Sequence, residues 1–224
     1  MFDAHRHFSH ARASANALYA TSKPGEWVRL AGMQHPAIGG VGALPERPLP
    51  PSGMMYDVLS RQSDLQVAEV GLDRRWPDAE AQQLFLLEVL DIAYILERSV
   101  SLHCVRRDGL LLSMLKRQGK RLPTLLWHGC TLSWESARQA SKMGIILSFS
   151  PSLYSSSLAR EAKRLTSLRF ALETDFAQEE EDAYDTYVSE HLATFSQLTG
   201  SSSDALIRNN DEIRAILTNQ SPAR

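Results

Sequence analysis

Two histidines two positions apart open the chain, in the stretch Met1-Phe2-Asp3-Ala4-His5-Arg6-His7-Phe8. Side chains of an extended strand alternate faces with a period of two, so His5 and His7 point the same way and both imidazoles can reach one metal ion. A bare His-x-His is equally well a pair of surface histidines near a terminus. The rest of the chain tips the balance, because further short apolar segments also end in residues that ligate metals: Gln66-Val67-Ala68-Glu69, Val100-Ser101-Leu102-His103, Leu125-Leu126-Trp127-His128 and Phe170-Ala171-Leu172-Glu173-Thr174-Asp175. Six hard or borderline ligands at strand ends, His5, His7, Glu69, His103, His128 and Asp175, suggest a binuclear site for zinc, manganese or, with more water, magnesium.

Such residues meet only if the elements carrying them share one end. The step from Glu69 to His103 and that from His103 to His128 each match one strand-helix unit; the step from His128 to Asp175 matches two, with residues 144–149 as the strand between. In a (β/α) barrel all C-terminal strand ends face the same mouth, and that is where active sites are built. Strands are expected over residues 1–5, 17–21, 27–35, 65–70, 99–104, 124–129, 144–149 and 168–172. Helices are expected over residues 54–63, from Pro77 and Asp78 to about 98, and over 109–118, 133–143, 178–198 and 203–217. Asp78 is read as an N-cap, and Leu84, Leu87, Leu90 and Tyr94 as one apolar face. Alternation at this pace predicts an α/β fold, a single-domain TIM-type (β/α) barrel over residues 1–218, with a frayed tail at 219–224. Only Lys23-Pro24-Gly25 separates the second and third predicted strands, too little for a full crossover helix, so the barrel is expected to be abbreviated there.

Residues 36–53 contain Gly39, Gly40, Gly42, Pro45, Pro48, Pro50 and Pro51, a composition that predicts a long loop, either plain surface linkage or a cover over the site entrance. Its Gly-Gly-x-Gly lacks the Lys and Ser/Thr of a phosphate-binding loop.

Composition sets the outer bounds. A chain of 224 residues with 43% hydrophobic content can bury one large core. A formal charge of −2 excludes a strongly basic nucleic-acid protein, though not a local basic rim. Cys104 and Cys130 form no Cys-x-x-Cys pair, so no disulfide framework or structural zinc signature is expected, and a reducing cytoplasm suits the chain. There is no cleavable leader pattern and no apolar run long enough to span a bilayer.

The motifs resemble those of the TatD-type metal-dependent hydrolases, a branch of the amidohydrolase-like TIM barrels. They stand here as Asp3-x-His5-x-His7, Gln34-His35-Pro36, Glu69-Val70-Gly71-Leu72-Asp73, Leu102-His103-Cys104, His128-Gly129-Cys130, Glu173-Thr174-Asp175 and Asn210-Asp211-Glu212-Ile213-Arg214. Each is weak alone; their common order along most of the chain is the signal. The resemblance implies that His5, His7, Glu69 and Asp175 bind one metal, with Glu69 bridging to a second held by His103 and His128. It implies that Asp175 orients or deprotonates the attacking water, and that His35 protonates a leaving group or contacts a phosphate. Many members are described as deoxyribonucleases, so single-stranded or frayed DNA is the implied substrate.

The chemistry agrees, since two ions about 3.5–4 Å apart can acidify a shared water and polarise a phosphoryl oxygen. Arg74, Arg75, Arg106 and Arg107 follow two strand ends, where their forks could meet phosphate or merely be solvated helix starts. Trp76, Trp134 and Phe176 could stack bases, with rim or core packing as the plainer reading. Trp127 should point away from the lumen. Asp3 and Asp73 are expected to fix histidine tautomers or to serve in turns. Glu173 shares the parity of Asp175, and His10 and His191 read as surface residues. The thiols of Cys104 and Cys130 read as small buried groups.

The sequence departs from the family pattern in three places: Val105 stands where an arginine is frequent, Phe176-Ala177-Gln178 lacks a frequent proline, and Ala37 follows His35-Pro36. The leading expectation is a phosphodiesterase acting on DNA. The alternatives are hydrolysis of a small cyclic amide or ester on the same site, and a metal-containing binding or assembly subunit without turnover.

Overall fold

Eight parallel strands join edge to edge in chain order in the computed structural model, which describes residues 1–8, 16–32, 37–46, 48–177 and 181–219. They are β1 (Asp3–His7), β2 (Ala17–Ala20), β3 (Ile38–Val41), β4 (Gln66–Asp73), β5 (Val100–Val105), β6 (Leu125–Trp127), β7 (Ile146–Phe149) and β8 (Phe170–Leu172). Helices α1 (Pro24–Leu30), α2 (Ser52–Arg61), α3 (Ala79–Ile95), α4 (Asp108–Gln118), α5 (Trp134–Lys142), α6 (Ala162–Leu165), α7 (Glu181–Thr199) and α8 (Ser203–Leu217) follow the strands in turn. This is the expected TIM-type barrel. Among the described residues no helix is long and apolar enough to cross a membrane.

Strand parity sorts the core into two shells. Phe2, Ala4, Leu18, Ala20, Ile38, Ala68, Leu126, Ile146 and Ala171 fill the lumen, and Ile213 and Leu217 of α8 pack against them. Trp127 packs with Leu111, Leu115 and Ala137 in the outer shell between sheet and helices, as its position one before His128 predicts.

The seam between β8 and β1 is stitched by side chains as well as backbone. Asn210 of α8 accepts the Leu172 N–H at 3.0 Å and donates to the carbonyls of Leu172 and Phe2, each at 2.7 Å. One amide thus satisfies buried backbone groups of both edge strands. Asn209 adds a bond to the Phe170 carbonyl.

The structure corrects the early part of the sequence reading. Residues 27–30 belong to a seven-residue helix, not to a third strand. Trp27 and Leu30, three apart, bury one face of it, while Val28 between them is 84% exposed. The third strand is β3, inside the stretch predicted as a loop. Its glycines are there because neighbours leave no room: a Cβ on Gly40 would stand 2.6 Å from the Ala68 Cβ, and one on Gly42 would overlap backbone atoms of Thr21, Ala68 and Glu69. The barrel therefore keeps all its strands, and the connection between β2 and β3 carries the short helix α1.

On α3 the buried face is Phe85, Leu86, Val89, Leu90 and Ala93, while Leu84 and Tyr94 are exposed, so the apolar stripe is rotated from the predicted one. Asp78 occupies the N-cap position in a left-handed conformation and accepts no capping bond with its side chain. His191 is buried, not superficial: Nε2 donates to the Phe149 carbonyl at 2.9 Å and Nδ1 accepts from the Tyr154 hydroxyl at 2.6 Å. The expectations for His10, for His35 and for the tail from residue 220 fall outside the described residues.

Candidate metal centre

The six ligand-type residues found by strand position converge at the C-terminal mouth. Two of them sit at irregularities that re-aim side chains. In β1 the pairing with β2 gains a residue between Asp3 and Arg6, and in β4 the pairing with β5 gains one between Ala68 and Val70. His5 and Glu69 are thereby turned toward the axis.

Glu69 is the hub. Its Oε1 lies 3.1 Å from His103 Nδ1 and 3.4 Å from His128 Nε2, and its Oε2 lies 3.5 Å from His7 Nδ1. His7 Nε2 lies 3.0 Å from Asp175 Oδ1. The rings of His5 and His128 stack at 4.0 Å between centroids. His5, Glu69 and His128 form one grouping able to hold an ion, and His5, His7 and Asp175 form another.

Acceptors behind the rings decide which nitrogens face the centre. Ser101 Oγ is 2.9 Å from His5 Nδ1, leaving Nε2 turned inward. Asp73 Oδ2 is 3.1 Å from His103 Nε2, so the Nδ1 lone pair faces Glu69. Glu173 Oε1 faces His128 Nδ1 at 3.7 Å while accepting the Gly129 N–H at 2.5 Å. His103 Nδ1 and His128 Nε2 then meet each other at 3.3 Å as two acceptors, with a carboxylate oxygen beside them. His5 Nε2, Glu69 Oε2 and Asp175 Oδ1 are buried without a hydrogen bond. A cluster of converging lone pairs suits a cation, and the donor set suits zinc or manganese.

The electrostatics follow from this crowding. Burial, then the neighbouring His128, holds His5 well below the ordinary histidine range. Burial also opposes charge on His128, but the carboxylates of Glu173 and Glu69 on either side of the ring push it well above that range, a demand for positive charge between them that a bound cation would meet in place of a proton. For Glu69 burial favours the neutral acid, yet the imidazoles of His103, His128 and His7 gathered around it keep the carboxyl well below its usual range. Asp73, paired to Arg75 at 2.5 Å, is lowered to about 2 against the effect of burial.

The mouth opens as a cavity of about 590 Å³ whose rim includes Leu44, Arg75, Arg106, Thr131 and Ser152. Of the four arginines singled out, Arg75 and Arg106 line it. Arg74 gives its backbone N–H to the Val105 carbonyl, and Arg107 stands at the N-cap of α4. Trp134 lies under the Arg164 guanidinium at 4.1 Å, and Phe176 is buried against Arg6, so neither offers the mouth a stacking face. Trp76 is 37% exposed and does not line the cavity.

Asp73 fixes a histidine tautomer; of the two roles open to Asp3, the one it fills is that in a turn. The extra residue in β1 leaves Asp3 on the outer side of the strand, where its carboxylate meets Thr174 and Tyr184 and, among the described residues, no imidazole. Ser101 escaped the sequence reading, although it sits two before His103 and shares its face by parity. Glu173, two before Asp175, carried the same signal.

A family model described as TatD related DNase matches residues 54–217. Among solved structures, the TatD homolog YjjV of Escherichia coli superposes with a TM-score of 0.80 at 20% identity, over 97% of this chain and 97% of that one. A hydrolase TatD family protein of Entamoeba histolytica gives a TM-score of 0.71 at 11% identity, over 92% of this chain and 85% of that one. None of the curated proteins matches. The two structures share the barrel, and the family model runs from within α2 to the last residue of α8, taking in Glu69, His103, His128 and Asp175; the chain belongs to the TatD related DNase family.

Proposed function

We propose that the chain is a metal-dependent hydrolase that cleaves phosphodiester bonds in single-stranded or frayed DNA. The observation that carries the metal requirement is the meeting of His103 Nδ1, His128 Nε2 and Glu69 Oε1 within 3.1–3.4 Å of one another, an arrangement of acceptors that calls for a cation. His5, His7, Glu69 and Asp175 would hold one divalent ion, and Glu69, His103 and His128 a second. When bound, such ions supply Lewis acidity at a phosphoryl oxygen and make a nearby water more acidic.

The protein's own groups complete the reaction. Asp175, held beside His7 at the mouth, accepts the proton of the attacking water as the new P–O bond forms. The old P–O bond breaks and the departing oxygen takes a proton from solvent. Arg106 on the rim meets the phosphate with its guanidinium fork. Free Cys104 and Cys130 suit a reducing cytoplasm.

The test is release of nucleotides from single-stranded DNA with added manganese. Wild type should turn over, and Asp175→Asn should lose about 10²–10⁴-fold in kcat, the usual worth of a positioned base. Activity on a cyclic amide and ester panel but not on DNA would move the substrate class. Stoichiometric metal without turnover on either panel would make the barrel a binding or assembly subunit.

A further inference from the structure

We propose that Asp3 is a positioning residue for Asp175: turned out of the barrel by the β1 bulge, its carboxylate grips Thr174 and Tyr184 and so fixes the backbone that aims the Asp175 carboxylate at the metal centre. This rests on the role given to Asp175 above.

Asp175 has a φ of 54°, a left-handed conformation that aspartate tolerates better than most residues with a Cβ but that still costs energy and is held here by neighbouring bonds. Here the surroundings are specific. Thr174, just before it, gives its backbone N–H to Asp3 Oδ1 at 2.9 Å and its hydroxyl to Asp3 Oδ2 at 2.5 Å. The same hydroxyl oxygen accepts the Phe176 N–H at 3.2 Å, closing a turn around Asp175. Backbone bonds from Asp175 N to the His5 carbonyl and from His7 N to the Phe176 carbonyl, at 3.0 and 3.1 Å, pin the turn to β1 between the two histidines. Tyr184 of α7 adds a third donor to Asp3 at 2.8 Å, and the Arg6 guanidinium lies 3.8 Å from the centroid of its ring.

Asp3 is fully buried, and with the His5 N–H at 3.3 Å every group that its carboxylate meets among the described residues is a donor. It touches none of the ligand-type side chains. What it controls is the register between the strand bearing His5 and His7 and the turn bearing Asp175. An acceptor with both oxygens engaged is needed, because an amide would set its NH₂ group against the Thr174 or Tyr184 donor.

Three substitutions test this: Asp3→Asn, Thr174→Val and Thr174→Ser. Amide hydrogen exchange on the metal-free protein should show Asp175 and Phe176 exchanging at least about tenfold faster in Asp3→Asn and Thr174→Val. Leu172, whose N–H is held at the same seam by Asn210, serves as the internal control and should be unchanged. Manganese affinity should fall about 10–100-fold in those two variants, as for other groups that orient ligands, and Thr174→Ser should restore both. On DNA, kcat should drop with KM within about threefold, the pattern of a lost transition-state contact.

If wild type binds metal but leaves DNA intact, the substrate reading fails while the exchange and metal arms still decide the role of Asp3. Wild-type exchange and metal affinity in both Asp3→Asn and Thr174→Val would overturn the proposal. So would equal loss in Thr174→Ser, or Leu172 exchange rising in step, since either marks a general structural role. Should Asp3→Asn fail to fold, the Val and Ser variants at Thr174 carry the same comparison.

Discussion

Asp73 Oδ2 lies 3.1 Å from Nε2 of His103, on the opposite side of the ring from the Nδ1 atom that faces Glu69. The carboxylate thereby chooses the tautomer and leaves the inward nitrogen free to ligate. Arg75 holds Asp73 in turn through Nε and a terminal nitrogen, so rotation of the carboxylate would break several bonds at once. Asp73→Ala is expected to weaken divalent-metal affinity about 10–100-fold, measured by titration of the metal-free protein, while far-ultraviolet circular dichroism stays that of wild type. Unaltered affinity would mean that packing alone orients His103.

Asn210 replaces a missing strand partner. Truncation to alanine leaves the Leu172 N–H and the carbonyls of Leu172 and Phe2 buried without it, and each unsatisfied group costs about 1–3 kcal/mol. Asn210→Ala should therefore lose on the order of 4 kcal/mol in urea unfolding, and Asn209→Ala, with one bond to the Phe170 carbonyl, about 1 kcal/mol. Equal effects would show that the seam does not depend on the Asn210 amide.

The contrast between these residues and the ligand set explains what the sequence could disclose. Glu69, His103 and His128 are legible because each ends an apolar run and is of a type rarely buried without a task. The barrel was legible from the same runs. β3 was not, since Gly39 and Gly40 carry no apolar signal of their own; burial there is set by how closely Leu65 and Ala68 approach. Helix α1 is two turns long, too short for its Trp27–Leu30 spacing to outweigh an alternating reading. The choice for Asp3 between a tautomer and a turn stayed open for another reason. Parity arguments hold only along an unbroken ladder, and the extra residue before Arg6 breaks it. Asn210 was visible as part of a motif, but its partners lie 38 and 208 residues away and no local pattern names them.

Arg75 and Arg106 differ although both line the mouth. Arg75 is committed to Asp73, whereas Arg106 is exposed on a left-handed backbone position. One charge-assisted bond to a phosphate is worth about 1.5 kcal/mol or slightly more. Arg106→Ala is thus expected to raise KM for a DNA substrate about tenfold, to flatten its salt dependence and to leave unfolding unchanged. Arg75→Ala should lower metal affinity as well, because it frees Asp73. If the two variants behave alike in both assays, the distinction between a substrate contact and a support is wrong.

His191 sets the acid side of stability. Burial lowers its pKa from 6.5 to about 4, although the Phe149 carbonyl works the other way by accepting from Nε2. In the unfolded chain the same imidazole titrates near the ordinary value, so between about pH 6.5 and 4 the unfolded state binds the extra proton. Stability from this group is complete above that window and declines as the pH falls through it, by about 3 kcal/mol in all. His191→Gln keeps a donor and an acceptor for the Phe149 carbonyl and the Tyr154 hydroxyl but cannot titrate. Its urea midpoint should fall less than that of wild type between pH 7 and pH 4, with the two curves converging toward the acid end; parallel curves would show that the burial of a neutral imidazole does not govern acid unfolding.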